Sequence, residues 1–110
     1  MGRFVKGDVV VVPFPFSNLS AAKKRPALVV ASLTGDDVIL CQITSQTVGD
    51  SYAIALTTTD FSAGSLHQDS NIRPNRIFTA DSNIIQYRVG AVTSNKIHEV
   101  VDRIVQIINA

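Results

Sequence analysis

Lys23-Lys24-Arg25-Pro26-Ala27-Leu28-Val29-Val30 carries three consecutive cations into a proline and then into an apolar run. Pro26 can open a strand without wasting a ladder donor, so Ala27–Ala31 reads as the strand that follows. The cations are then delivered to the edge of a rigid sheet, where they either hold a phosphate or stand as solvated surface groups. Thr34-Gly35-Asp36-Asp37 is a turn and Val38–Ile43 a second apolar run, so the two runs pair as a hairpin. An antiparallel sheet is expected to grow from that pair.

Upstream, Gly7-Asp8 punctuates the chain before Val9–Val12, four β-branched residues with no polar alternation. Such a strand is either buried on both faces or bent through a small closed sheet. Pro13-Phe14-Pro15-Phe16 is expected to end it as an extended margin, because two donors are lost. Ser17–Lys24 reads as a loop. Downstream, Thr44-Ser45-Gln46 closes the hairpin in three polar side chains, and Gly49-Asp50 permits a turn. Tyr52–Thr58 reads as a strand with Tyr52, Ile54 and Leu56 on one face. Asp60–Pro74 reads as a long polar connection with at most a short strand at Ser70–Arg73, and Arg76–Ala80 as a separate short strand. Asp81 or Ser82 can cap a helical turn, and Gly90 is expected to mark a turn before Ala91–Thr93. Ser94 or Asn95 is the expected N-cap of a helix over Lys96–Ile108, whose apolar stripe is Ile97, Val100, Val101, Ile104, Ile107 and Ile108. The fold class is therefore α+β and mainly β: a small curled antiparallel sheet with one long helix across an open side.

At 110 residues, 45% hydrophobic and 17% charged, the chain is expected to form a single domain over 1–110 rather than a disordered segment. A formal charge of +1 gives no support to a protein that coats nucleic acid indiscriminately. The distribution is less even than the sum, since residues 26–72 hold five aspartates and no Lys or Arg. Cys41 is the only cysteine, which excludes an intrachain disulfide and a thiolate metal cluster. Cys41 reads as a buried structural thiol, which fits the cytoplasmic address expected of the chain; Met1-Gly2-Arg3-Phe4 opens no apolar signal segment, and no apolar run approaches the length of a membrane span.

Several side chains are candidates for chemistry. Arg25 offers a planar fork of donors to phosphate oxygens, against the plainer reading of a surface cation. Thr44 offers a hydroxyl at a strand end, while Ser45 and Gln46 can meet a phosphate or a base edge or simply cap the loop. Lys23 and Lys24 suit diffuse attraction of a polyanion. His67 can exchange protons near neutral pH if the long connection brings it to the site, whereas His98 belongs to the helix. Phe14 and Phe16 are either a stacking platform for unpaired bases or packing residues. Arg73 and Arg76 can form a basic rim.

Gly7-Asp8-Val9-Val10, Pro15, Lys24-Arg25-Pro26-Ala27-Leu28-Val29-Val30 and Cys41-Gln42-Ile43-Thr44-Ser45-Gln46 occur in the order and spacing of one family. Asp69-Ser70-Asn71-Ile72, Arg76-Ile77-Phe78-Thr79-Ala80-Asp81 and Arg88-Val89-Gly90 extend the match over nearly the whole chain. The sequence resembles the MazF/PemK-like toxins of bacterial type II toxin–antitoxin systems. The resemblance implies an SH3-like curled barrel, a homodimer, and a metal-independent endoribonuclease that uses no cofactor and cuts single-stranded RNA. It also implies a cognate antitoxin whose disordered tail lies across the toxin. The family's catalytic arginine falls on Arg25 and its catalytic threonine on Thr44, with Lys23, Lys24, Ser45, Gln46, Phe16, His67 and Arg73 left as substrate-binding candidates. The expected reaction is attack by the ribose 2′-hydroxyl, giving a 2′,3′-cyclic phosphate and a 5′-hydroxyl. One segment departs from the family. Where its members carry a Gly-Ser-Glu-Gln-Gly-Gly-like loop, this chain has Asn18-Leu19-Ser20-Ala21-Ala22-Lys23-Lys24, which lacks the acidic residue and the glycines but keeps two lysines for a polyanion. The alternatives are a non-catalytic SH3-like module that binds nucleic acid or a protein tail, and an inactive relative that serves as an antitoxin scaffold.

Overall fold

A computed structural model of the chain describes residues 4–14, with Phe14 by its backbone, and residues 23–110. Its strands are β1 (Asp8–Phe14), β2 (Lys23–Ser32), β3 (Asp37–Thr44), β4 (Ile54–Leu56), β5 (Phe61–Gly64), β6 (Ser70–Asp81) and β7 (Tyr87–Val92), followed by the helix α1 (Ser94–Asn109). Among the described residues the seven strands form one antiparallel sheet in the order β4-β6-β3-β2-β1-β7-β5. The hairpin of β2 and β3 lies at its centre, with β1 on one side and β6 on the other. The sheet curls into a half-barrel, and α1 covers one open side.

Both faces of the central strands are covered. Val9, Leu28, Cys41, Ile43 and Ile72 point to one side, where Ile97 and Val100 of α1 close over them. Val10, Val12, Ala27, Val29 and Leu40 point to the other, against Phe4, Phe78 and Ile85. This is why Val9–Val12 shows no polar alternation: Val9 enters one core, Val10 and Val12 enter the other, and Val11 is buried as well. Asp8, at the head of the same strand, is buried and held from two directions. Its carboxylate accepts from the backbone N–H of Val5 at 2.9 Å and from Arg88 Nε at 3.0 Å. A buried carboxylate with both a backbone donor and a guanidinium is satisfied, so Gly7-Asp8 is a structural lock between β1 and β7.

Several boundaries differ from expectation, each for a reason of pairing. β1 continues through Pro13, which stands opposite Lys24 on β2. β7 reaches along β1 only to Val11, so the N–H that Pro13 lacks was not required on that edge. Lys23 and Lys24 belong to β2 and not to the preceding loop. The strand expected over Tyr52–Thr58 is confined to Ile54–Leu56 and gives way to a 3-10 turn at Thr58–Asp60. The connection expected between Asp60 and Pro74 holds β5 and the start of β6, and Ser70–Arg73 and Arg76–Ala80 are parts of one 12-residue strand. The pairing of β6 with β3 jumps from Arg73 opposite Gln42 to Ile77 opposite Cys41, so Pro74-Asn75-Arg76 forms an irregularity that bends the strand. Gly90 is no turn: it lies within β7, where a Cβ would come to 2.2 Å from the carbonyl oxygen of Ala63. Finally, α1 is capped by Thr93, whose hydroxyl accepts from Lys96 N at 3.3 Å, and not by Ser94 or Asn95. The expected cap at Asp81 is present, its carboxylate accepting from Asn83 N at 2.8 Å.

Candidate functional site

The β2–β3 ladder ends at the pair Ala27–Gln42. Two residues further along each strand stand Arg25 and Thr44. There the two strands follow different neighbours: Arg25 pairs with Val12 of β1, and Thr44 with Asn71 of β6. The sheet therefore splits at its centre, and a cleft of about 690 Å³ opens in the split, lined by Arg25, Gln42, Thr44, Gln46, Arg73 and Arg76 among others. By strand alternation Arg25 shares a face with Ala27, and Thr44 with Gln42 and Leu40. Both residues thus extend one core face outward, from apolar side chains to polar ones.

Thr44 is 8% exposed. Its Oγ1 accepts from Gln46 N at 3.1 Å, which fixes the hydroxyl and leaves its own proton to donate. Asn71 Nδ2 donates to the Gln46 carbonyl at 3.3 Å, so the cleft's rim is tied to β6 as well. Arg25 is partly exposed at the margin, a position from which a guanidinium can meet a phosphate without full desolvation. Arg73 enters from the bend of β6. Its Nη2 donates to Asp50 Oδ2 at 2.9 Å, while its Nε is buried without a partner among the described residues. Burial acts to raise the Asp50 carboxyl, but the Arg73 hydrogen bond, the backbone donors of Tyr52 and Ala53 and the guanidinium charge outweigh it and hold the group below the ordinary carboxylate value. Below the floor of the cleft, Cys41 Sγ donates to the Arg73 carbonyl at 2.9 Å. Burial pushes that thiol up to about 12, so it remains a neutral packing group.

Arg25, Thr44, Gln46 and Arg73 thus meet in one cleft. Ser45 is exposed beside Thr44 without lining it. Lys24 and His67 line a second cleft of about 790 Å³, which Arg25 also borders together with Tyr87 and Arg88. Lys23 is exposed at the start of β2, and His98 is exposed on α1. His67 has a left-handed backbone, φ 64°, and is exposed. Phe16, the side chain of Phe14 and the segment 15–22 lie outside the described residues. Gln42 and Phe78 line the first cleft without having been singled out, since a residue in mid-strand carries no local sign of facing a split. Asp50 was legible only as a turn residue. Its reach back to its own chain is a local habit of aspartate, whereas its pairing with Arg73, 23 positions away, is not. Among the described residues no group of three or more His, Cys, Asp or Glu side chains converges as metal ligands.

The same architecture occurs in solved structures. MazF from Deinococcus radiodurans superposes with a TM-score of 0.77 at 16% identity, over 97% of each chain. An endoribonuclease from a mycobacterial species, in complex with its cognate antitoxin, gives 0.76 at 14% identity, over 96% of this chain and 95% of the other. A MazE–MazF complex from Deinococcus radiodurans gives 0.71 at 15% identity, over 96% and 94%. No curated protein matches the sequence. At such identities the superpositions establish the fold, and membership rests on the sequence itself. Residues 5–108 match the family described as PemK-like, MazF-like toxin of type II toxin–antitoxin system, and the chain belongs to that family.

Proposed function

We propose that the chain is a toxin endoribonuclease that cuts single-stranded RNA in the cleft where β2 and β3 part. The observation that carries the reading is the placement of Arg25 and Thr44 two residues beyond the last β2–β3 pair, both on the wall of one cleft. RNA brings its own nucleophile. The 2′-hydroxyl oxygen bonds to phosphorus as the bond to the 5′ oxygen breaks; the proton lost at 2′ and the one gained at 5′ exchange with the solvent that fills the open cleft. The enzyme's part is to align the groups and to stabilise the added negative charge. Arg25 clamps the non-bridging oxygens with its planar fork of donors. Thr44, its oxygen already engaged by Gln46 N, turns its O–H toward the same phosphate. Arg73, Gln46 and Arg76 orient the chain around it, with Lys23, Lys24, Ser45 and His67 as outlying contacts.

The reaction needs no cofactor, and residues 1–110 act as one domain. The biological unit is a homodimer in the cytoplasm, silenced by a cognate antitoxin; support for the antitoxin comes from the mycobacterial endoribonuclease solved in complex with its own. No helix among the described residues is long and apolar enough to cross a membrane. The test is incubation of EDTA-treated protein with mixed-sequence single-stranded RNA, followed by end-group analysis. Cyclic-phosphate and 5′-hydroxyl ends are expected, with Arg25→Ala and Thr44→Ala each slower by on the order of 10²-fold to 10³-fold. Cutting at the normal rate by either variant would refute its role. RNA binding without scission would make the protein a binding module.

A further inference from the structure

Asp50 is a junction between the two walls of the cleft. Its Oδ1 accepts from the backbone N–H of Tyr52 at 3.0 Å and of Ala53 at 3.2 Å, closing the loop that follows Gln46, Thr47 and Gly49. Its Oδ2 accepts from Arg73 Nη2 at 2.9 Å and from Asn75 Nδ2 at 3.4 Å, both on the bend of β6. One carboxylate therefore ties the loop on one side to the bent strand on the other. Arg73 has a second constraint in its backbone, where its carbonyl takes the Cys41 thiol. With its main chain and one guanidinium nitrogen both held, the side chain has lost much of its rotamer freedom before any ligand arrives. Among the described residues its Nε has no acceptor. That nitrogen is buried, but the Arg73 side chain keeps 20% of its exposure and lines the cleft, so a guanidinium held from behind by Asp50 presents its remaining donors to a phosphate in the cleft.

We propose that Asp50 is a positioning residue for RNA cleavage: it acts through Arg73, holding that guanidinium along the cleft wall so that it meets the substrate's phosphate beside the Arg25–Thr44 pair. The proposal rests on the reading of this cleft as the RNA site. Asp50 touches no substrate in this scheme. Freed from it, Arg73 keeps its charge and loses its direction, so attraction for RNA persists while alignment at the reacting phosphorus is lost.

Asp50→Asn preserves the side-chain shape and an acceptor for the Tyr52 and Ala53 N–H groups, and Asp50→Ser preserves an acceptor on a shorter arm. Steady-state cleavage is measured for each in the wild-type and the Arg73→Gln backgrounds. The expected result is a fall in kcat of about tenfold with KM little changed in the wild-type background, and less than about twofold in the Arg73→Gln background, because the partner through which Asp50 acts is already gone. A loop that had merely loosened would cost the same factor in both backgrounds, and that outcome overturns the proposal, as does an unchanged kcat. Wild-type protein, Asp50→Asn and Asp50→Ser, all of which keep Arg73, are titrated with a single-stranded oligonucleotide of 2′-O-methyl riboses, which cannot be cut, while bound-state ordering of Arg73 is followed by its Nε–H NMR signal. Wild-type protein that leaves RNA uncut refutes the proposed activity; the Nε–H signal still reports whether Asp50 orders Arg73 against a phosphodiester, and a signal independent of Asp50 refutes the positioning role.

Discussion

Cys41 is at once fully buried and one hydrogen bond from Arg73. Its thiolate would be a charge in the core with no cation to meet it, and burial lifts its pKa from 9.0 to about 12. In the unfolded chain the thiol ionises near its ordinary value, so above that pH the unfolded state holds fewer protons than the folded one. Stability is fully present below about 9 and falls as the pH climbs toward about 12. Urea midpoints measured across that range should decline for the wild type and less steeply for Cys41→Ala, and a disulfide reagent at pH 8 should label the thiol only after denaturation. Asp50 has the opposite sign. Its carboxyl is held below 3.8, so its contribution is present above that value and disappears as the pH falls through the lower folded value. Asp50→Asn should therefore flatten the acid limb of the stability profile below about pH 4 and leave the neutral region with a small change, as for other partly exposed ion pairs.

The elements read most surely from sequence were those whose signal is local. The stripe Ile97, Val100, Val101, Ile104 needs only a period near 3.6 residues to announce α1, and its inner side is packed as that period requires. Only its outer end departs, Ile108 being 68% exposed. The β2–β3 hairpin was equally plain because a turn separates two apolar runs. β5 and β6 were obscure since their partners are remote: Phe61 pairs with Val92 and Asp37 with Asp81. Pro74 divided the apparent strand in two, although the bulge it occupies lets the ladder resume. Gly90 was misread for a related reason. Its freedom serves not a turn but the close approach of β5, where Gly64, at φ 67°, and Gly90 lie face to face. An added Cβ at Gly90 would sit 2.2 Å from the carbonyl oxygen of Ala63, and backbone cannot yield as a flexible side chain would. Gly90→Ala should cost about 1–3 kcal/mol in denaturant unfolding. Hydrogen exchange should show the loss concentrated in β5, with the β2–β3 amides still protected; uniform loss across the sheet would contradict this account.

At the scale of the molecule, a formal charge of +1 conceals a separation of charge. Arg25, Arg73 and Arg76 line the first cleft, and Lys24 and Arg88 belong to the second. The order of residues showed where cations cluster along the chain; the split of the sheet decides which of them face one another. Asp50 offsets Arg73, and Asp8 offsets Arg88, so the first cleft presents between two and three effective charges to a bound strand. Counterion release from single-stranded nucleic acid gives a slope of roughly −0.7 per phosphate neutralised. A short uncleavable oligonucleotide that fills this cleft should therefore show log K falling with log salt at a slope of about −2. Engagement of the second cleft as well adds Lys24 and a partly offset Arg88, bringing the count to about four and the slope to about −3. The two values separate cleanly in a titration between low and physiological salt. A slope near the steeper value, restored to about −2 by Lys24→Ala with Arg88→Gln, would mean that RNA spans both clefts; a shallow slope unaffected by those changes confines it to the split between β2 and β3, where Arg25 and Thr44 stand.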